Sequence, residues 1–107
     1  MGRDPAKLDR LAQELGEGAR LAALSVDVTA QDGPARIVNS ALEAFGRVDF
    51  VINNAGGSRS RPVLKTRVDE LEHSFHFNVS VPFELVRLAA PHMLEIGGGS
   101  VVNISSV

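Results

Sequence analysis

The sequence predicts an α/β fold built around a parallel sheet. Helical and strand-like segments alternate along the chain, a pattern typical of parallel α/β proteins. One strand-like segment, Val48 to Asn53, carries consecutive apolar residues, which is typical of a strand covered on both faces. The length of 107 residues allows one domain at most.

The first two helices are predicted from capping residues and apolar spacing. One runs from Asp4 to Leu15, with Asp4 as the N-cap and Pro5 at the first helical position. The next begins at Thr29 or Gln31 and ends at Phe45, and Pro34 fits in its first turn, where a missing N–H costs little.

A long third helix is predicted from about Arg67 to Ile96. Pro82 and Pro91 lie inside it and should bend or interrupt it. Residues at helical spacing predict one apolar side, made of Leu71, Phe75, Val79, Val86 and Ala89.

Strands are predicted over Arg20 to Val28, Val48 to Asn53 and Ser100 to Ile104. Ligands of open α/β sheets bind beyond the carboxyl ends of the strands. A site is therefore expected where Asp27-Val28, the segment Asn53 to Gly57, and Ser105-Ser106 follow these strands.

Composition excludes several classes of protein. The net charge of −2 with mixed signs gives no basic face, so no nucleic-acid partner is expected. The chain has no cysteine, so disulfide and thiolate chemistry are excluded. No apolar run reaches the roughly 18 residues that span a bilayer, and no signal-peptide pattern is present, so a cytoplasmic protein without a membrane partner is expected.

Asn53-Asn54-Ala55-Gly56 after an apolar strand resembles the NNAG turn of the short-chain dehydrogenase/reductase family. Asp27-Val28 resembles the acid-plus-aliphatic pair that follows the family's third strand. Asn78, in FHFNVSVPF, resembles the asparagine of the catalytic set, and Val102 to Ser106 resembles the fifth strand ending at the catalytic serine. Met1-Gly2-Arg3 resembles the tail of the second strand, so the resemblance covers essentially the whole chain.

The resemblance implies a partial Rossmann-like, doubly wound parallel sheet, with segments resembling strands 3, 4 and 5. Residues 1–107 are then expected to be part of a single NAD(P)-binding domain truncated at both ends. The family's glycine-rich turn would lie upstream and its Tyr-x-x-x-Lys pair downstream, and this chain contains no tyrosine. The order 3-2-1-4-5-6 separates strand 3 from strand 4, so poor stability is expected of these residues alone.

The resemblance also implies roles for individual residues. Asp27 would accept a hydrogen bond from the adenine amino group and Val28 would pack beside that ring. The family's ribose contacts would come from Asn54, Ala55 and Gly56, while Asn53 would tie the central strands together.

On the catalytic side, Ser106 would hydrogen-bond the substrate carbonyl oxygen, with Ser105 the weaker candidate. Asn78 would sit at a helix bend and hold a water near the catalytic lysine. Arg3 stands where family members that use NAD tend to carry an acid, so it favours NADP over NAD.

Each of these residues also has a simpler explanation. Asp27 could cap the following helix, NNAG could be an ordinary turn, and Asn78 could be a buried polar group bonded to backbone. The two serines could be a plain strand end. His73 and His76 lack a third ligand, so no metal site is predicted, and the loop with Arg59 and Arg61 is expected to be solvated.

The function that the resemblance implies is hydride transfer between a nicotinamide cofactor and a small-molecule alcohol or carbonyl substrate. The parent protein would be an enzyme and the 107-residue chain alone inactive. A homo-oligomer is expected through the helix 67–96, which in this family packs against a second subunit. The alternative is a non-catalytic nucleotide-binding protein, or an inactive fragment.

Overall fold

The computed structural model describes residues 1–18 and 20–106, and within them helices and strands alternate as predicted except between the first two helices, where no strand forms. The helices are α1 (Pro5–Leu15), α2 (Gly33–Phe45), α3 (Val68–Phe75) and α4 (Val81–Glu95), and a π-helical turn, His76–Ser80, joins α3 to α4. The strands are β1 (Phe50–Asn53) and β2 (Ser100–Asn103), and a short 3-10 turn, Val63–Lys65, precedes α3. None of the described helices is long and apolar enough to cross a bilayer.

The two strands lie side by side and run parallel, as the predicted order of strands 4 and 5 requires. Val51 lies opposite Val101 and Asn53 opposite Asn103. Both strands are slightly shorter than predicted, but the backbone bond from Ile104 N to Asn53 O, at 2.9 Å, continues the ladder one residue further.

The prediction of a strand over Arg20 to Val28 is wrong. Only Ser25 makes a β-bridge, a parallel one to Gly2, with bonds from Gly2 N to Leu24 O (3.0 Å) and from Val26 N to Gly2 O (2.8 Å). The physical reason is that a β-ladder needs a neighbouring strand, and only one residue, Gly2, lies beside this segment to pair with it. The bridge does agree with reading Met1-Gly2-Arg3 as the tail of a strand.

The core lies on one side of the sheet, between β1, α2 and α4. It is a cluster of buried apolar side chains: Val38, Val48, Val51, Leu85, Ala89 and Met93. On the opposite side of β1, Phe50 is 69% exposed and Ile52 is 61% exposed. The prediction that both faces are covered is therefore wrong for the described residues, because their helices pack on one face only.

The predicted long helix is interrupted once, at the π-helical turn. Pro82 follows this turn near the start of α4 and has no N–H to donate to the carbonyl four residues earlier, that of Asn78. Pro91, by contrast, lies inside α4 without ending it. The predicted apolar side is only partly correct, because Ala89 is buried whereas Leu71 and Phe75 are exposed.

Helix α1 begins at its predicted capping residue, whereas α2 begins later than predicted and its N-cap residue, Asp32, makes no side-chain capping bond. Asp4 caps α1 and accepts from Ala6 N at 3.0 Å. Helix α2 begins at Gly33, later than predicted, because the chain first turns through a bond from Ala30 N to Asp27 O. A Cβ at Gly33 would lie 2.5 Å from the Asp27 carbonyl oxygen, so glycine permits this close approach.

Candidate functional site

The turn after β1 is exposed and is fastened at its base by an asparagine pair. Asn53 Nδ2 donates to Asn103 Oδ1 at 2.8 Å, joining the ends of the two strands. This bond agrees with the structural role expected for Asn53. The next residues, Asn54, Ala55 and Gly56, are exposed and small enough to let another molecule approach the backbone.

Asn78 connects this turn to the helices. Its Oδ1 accepts from Gly57 N at 2.8 Å, and its Nδ2 donates to Gly57 O at 2.9 Å and to Ser74 O at 2.8 Å. The side chain therefore bonds to backbone, as the simpler explanation proposed, but the residue is exposed instead of buried. Its place in the π-helical turn agrees with the predicted helix bend.

The two glycines of the turn are each required, for different reasons. Gly57 has a φ of +142°, which L side chains rarely adopt. A Cβ at Gly56 would lie 2.9 Å from Asn78 Oδ1, so a larger residue would push the two groups apart. The sequence placed Gly57 in the candidate segment Asn53 to Gly57 but indicated a role only for Gly56.

A groove beside the turn brings together several of the predicted site residues. It is lined on one side by Asn53, Ala55, Gly56 and Asn78, and on the other by residues at the end of β2, including Ser105. Ser106 follows directly and is exposed, but it does not line the groove. Asn78 and Ser105 therefore line the same groove, whereas Ser106 lies just outside it.

Asp27 lies in a separate turn and holds a fixed orientation. Its Oδ1 accepts from Thr29 Oγ1 at 2.7 Å and from Thr29 N at 2.9 Å. These two hydrogen bonds, helped by the nearby charges of Arg3 and His73, lower the pKa of the Asp27 carboxyl below its usual value. Asp27 caps this turn and does not cap α2, whose N-cap is Asp32. Val28 follows in the same turn and is half-buried.

Arg3 is held beside the same turn. The bridge from Gly2 to Ser25 sets its backbone, and Ser25 Oγ donates to Arg3 O at 3.3 Å. The charge of Arg3 also contributes to the lowering of the Asp27 pKa.

One connection was not foreseen from the sequence. His76, in the π-helical turn, bonds through Nε2 to Thr29 O at 3.1 Å, which ties the helix to the turn that holds Asp27. A histidine in an exposed helical segment has many uses, so its sequence position alone carried no signal for this one.

The loop with the two arginines borders a second groove beside Gly57 and α3. Arg61 pairs with Glu70 at 2.7 Å, and both side chains stay largely exposed, so the pair contributes little to stability. No cluster of three potential metal-ligating side chains occurs in residues 1–18 and 20–106.

The amino-acid sequence matches a known protein family over its whole length. A model of the short chain dehydrogenase family matches residues 1–107. An uncharacterised oxidoreductase of Mycobacterium tuberculosis is 38% identical over 106 residues, covering 97% of this chain and 40% of the relative. One from Staphylococcus aureus is 31% identical, covering 99% of this chain and 46% of the relative. The chain thus spans less than half the length of these relatives.

Solved structures agree with this match. A short-chain dehydrogenase from Streptomyces avermitilis superposes with a TM-score of 0.84 at 38% identity, over 97% of this chain and 38% of that one. A 7α-hydroxysteroid dehydrogenase in complex with NADH and 7-oxo glycochenodeoxycholic acid superposes with a TM-score of 0.88 at 27% identity, over 94% of this chain and 40% of that one. These structures support the partial Rossmann-like fold.

Proposed function

Because the chain belongs to the short-chain dehydrogenase/reductase family, we propose that residues 1–107 are part of the single NAD(P)-binding domain of an oxidoreductase. Its substrate is a small-molecule alcohol or carbonyl compound. The observation that carries the proposal is the pair of hydrogen bonds between Asn78 and Gly57, because it fixes the NNAG turn beside the groove that reaches Ser105, the residue before Ser106.

The residues present fit a dinucleotide. Asp27 offers an ionised, oriented acceptor for an adenine amino group, with Val28 beside it. The exposed backbone of Asn54, Ala55 and Gly56 suits close approach by a ribose. The nicotinamide, when bound, supplies or accepts the hydride.

In the reaction, the residues of this chain orient the reacting groups and stabilise charge. Ser106 donates a hydrogen bond to the substrate carbonyl oxygen, where negative charge develops. Asn78 keeps the turn in place and holds a water near the proton-transfer groups. The family's acid/base is a tyrosine and these 107 residues contain none, so proton transfer to or from substrate depends on a residue outside them.

The proposed cofactor is NADP in preference to NAD, on account of Arg3. The backbone of Arg3 lies beside Ser25, two residues before Asp27, and a guanidinium at this position can pair with a 2′-phosphate, which NAD lacks. We expect Arg3→Ala to weaken NADP⁺ binding about 10- to 100-fold and to change NAD⁺ binding less than about twofold. Equal losses for both cofactors would contradict the preference.

A homo-oligomer through the segment 67–96 is part of the proposal. The exposed apolar side chains on it support this, namely Val68, Leu71, Phe75, Val79, Phe83 and Leu94. Sedimentation velocity of the protein made from its complete coding sequence tests it, and a monomer would contradict it. A cytoplasmic location remains a prediction, to be tested by cell fractionation.

The decisive experiment titrates NADPH into that protein while its fluorescence is followed, and then assays turnover with a panel of alcohols and carbonyls. We expect saturable binding and turnover. Ser106→Ala should lower kcat about 100- to 1,000-fold, while Ser105→Ala should change it only a few-fold. Binding without turnover would favour the non-catalytic alternative, and no binding would overturn the proposal.

A further inference from the structure

His76 makes a contact between segments far apart in sequence. Its Nε2 lies 3.1 Å from the carbonyl oxygen of Thr29, 47 residues away. A carbonyl oxygen only accepts, so the imidazole must carry its proton on Nε2 and donate it. The bond joins the π-helical turn to the turn at residues 27–30.

Thr29 is the residue that orients Asp27. Both its backbone N–H and its hydroxyl donate to Asp27 Oδ1, at 2.9 and 2.7 Å. His76 therefore holds, through Thr29, the direction in which the carboxylate faces. On the other side, Gly33 packs against the Asp27 carbonyl, so the turn is held from two directions.

The same π-helical turn also holds the other turn of the site. Asn78, two residues after His76, binds both backbone groups of Gly57. This π-helical turn thus contacts both segments assigned to the dinucleotide: the turn of Asp27, assigned to the adenine, and the turn that contains Asn54 to Gly56, assigned to the ribose region.

We propose that His76 is a positioning residue for the adenine half of the cofactor, acting through Thr29 on Asp27. This inference rests on the proposed function. Asp27 contacts a part of the cofactor that does not change in the reaction, so its orientation affects ground state and transition state equally. Losing the His76 bond raises the Kd and KM for cofactor and leaves kcat unchanged.

The variants are His76→Leu, which removes the donor, and His76→Gln, whose side-chain amide can still donate. His92→Leu is the matched control, because His92 is a half-buried histidine of α4 whose ring lies 3.9 Å from Glu95. The protein is made from its complete coding sequence. Binding is measured by fluorescence for NADPH, and by calorimetry for adenosine 2′,5′-bisphosphate and for nicotinamide mononucleotide.

We expect His76→Leu to weaken the binding of NADPH and of the adenosine bisphosphate by about 2- to 10-fold, the effect of one hydrogen bond. Nicotinamide mononucleotide binding and kcat should stay within about twofold, His76→Gln should restore most of the affinity, and His92→Leu should behave as wild type. A general structural defect would weaken both cofactor halves alike, and that result would overturn the proposal.

Two further results separate this inference from the function on which it rests. If wild-type protein binds no dinucleotide, both fall. If it binds and His76→Leu binds equally well, only the inference falls. Independently of cofactor, ¹⁵N NMR should find the neutral His76 ring protonated at Nε2, and protonation at Nδ1 alone would overturn the bond.

Discussion

The side-chain amide of Asn78 pairs with both backbone groups of Gly57, accepting from its N–H at 2.8 Å and donating to its carbonyl at 2.9 Å. Two residues of adjacent antiparallel strands exchange hydrogen bonds in the same way. The Asn78 side chain therefore makes the hydrogen bonds that a neighbouring strand would make to Gly57, and these bonds fix the backbone of an exposed loop.

Asn78→Ala should destabilise the protein by about 0.5–1.5 kcal/mol, because it removes the hydrogen bonds to the Gly57 N–H and carbonyl, which water can replace in part at this exposed turn. Urea unfolding of the whole protein measures the loss. Asn39→Ala, at an exposed position of α2, is the matched control and should change stability by less than about 0.5 kcal/mol. Equal effects of the two substitutions would show that these hydrogen bonds contribute nothing.

Gly56→Ala should cost about 1–3 kcal/mol, because its Cβ would meet Asn78 Oδ1 at 2.9 Å. Most of that cost should disappear when Asn78 is already alanine, so the double-mutant cycle should show coupling of about 0.5–3 kcal/mol. Gly18→Ala, where a Cβ meets nothing within 4 Å, is the control. Additive costs would mean that the strain at Gly56 has another source.

Thr29→Val should raise the pKa of the Asp27 carboxyl toward its ordinary value, because the hydroxyl bond is the largest cause of its lowering. A group with a lowered folded-state pKa adds stability that is present above its unfolded pKa and is lost as the pH falls through the folded value. The free energy of unfolding of the variant should therefore be smaller at neutral pH, and it should fall less than that of the wild type as the pH is lowered.

NMR titration of the Asp27 carboxyl carbon measures this pKa. Thr66→Val removes a hydroxyl that donates to Pro62 O, far from Asp27 in sequence, and serves as the control. An unchanged Asp27 pKa in Thr29→Val would contradict the assigned cause.

The isolated chain of 107 residues should melt without a sharp cooperative transition. Its radius of gyration is 15.8 Å, against about 13 Å for a compact domain of this size. One face of the sheet is also bare, with Phe50 and Ile52 exposed. A cooperative calorimetric melt at the temperatures of ordinary domains would contradict this expectation.

The sequence predicted best what depends on local chemistry. The Asp4 cap, the position of Pro34 and the locations of β1 and β2 all follow from nearby residues, and the structure has them. The NNAG resemblance similarly located the turn that Asn78 fastens. Such features require no knowledge of distant partners.

What failed depended on partners far along the chain. The segment Arg20 to Val28 has the composition of a strand, but composition cannot say that only Gly2 lies beside Ser25. The bond from His76 to Thr29 spans 47 residues and no local pattern indicates it. The predicted apolar side of the long helix also failed in its first half, because no residue of α3 is buried in the described structure, and regular spacing cannot say whether another element covers a helix.

The π-helical turn makes the length of the helical segment as important as its composition. An α-helix rotates by about 100° per residue, so deleting one residue between His76 and Ser80 would swing α3 by that angle relative to α4. The buried face of α4 and the two turns held by His76 and Asn78 could not then be satisfied together. The protein should therefore not tolerate insertions or deletions between His76 and Ser80, whereas it should tolerate a change of length in the loop from Ser58 to Pro62.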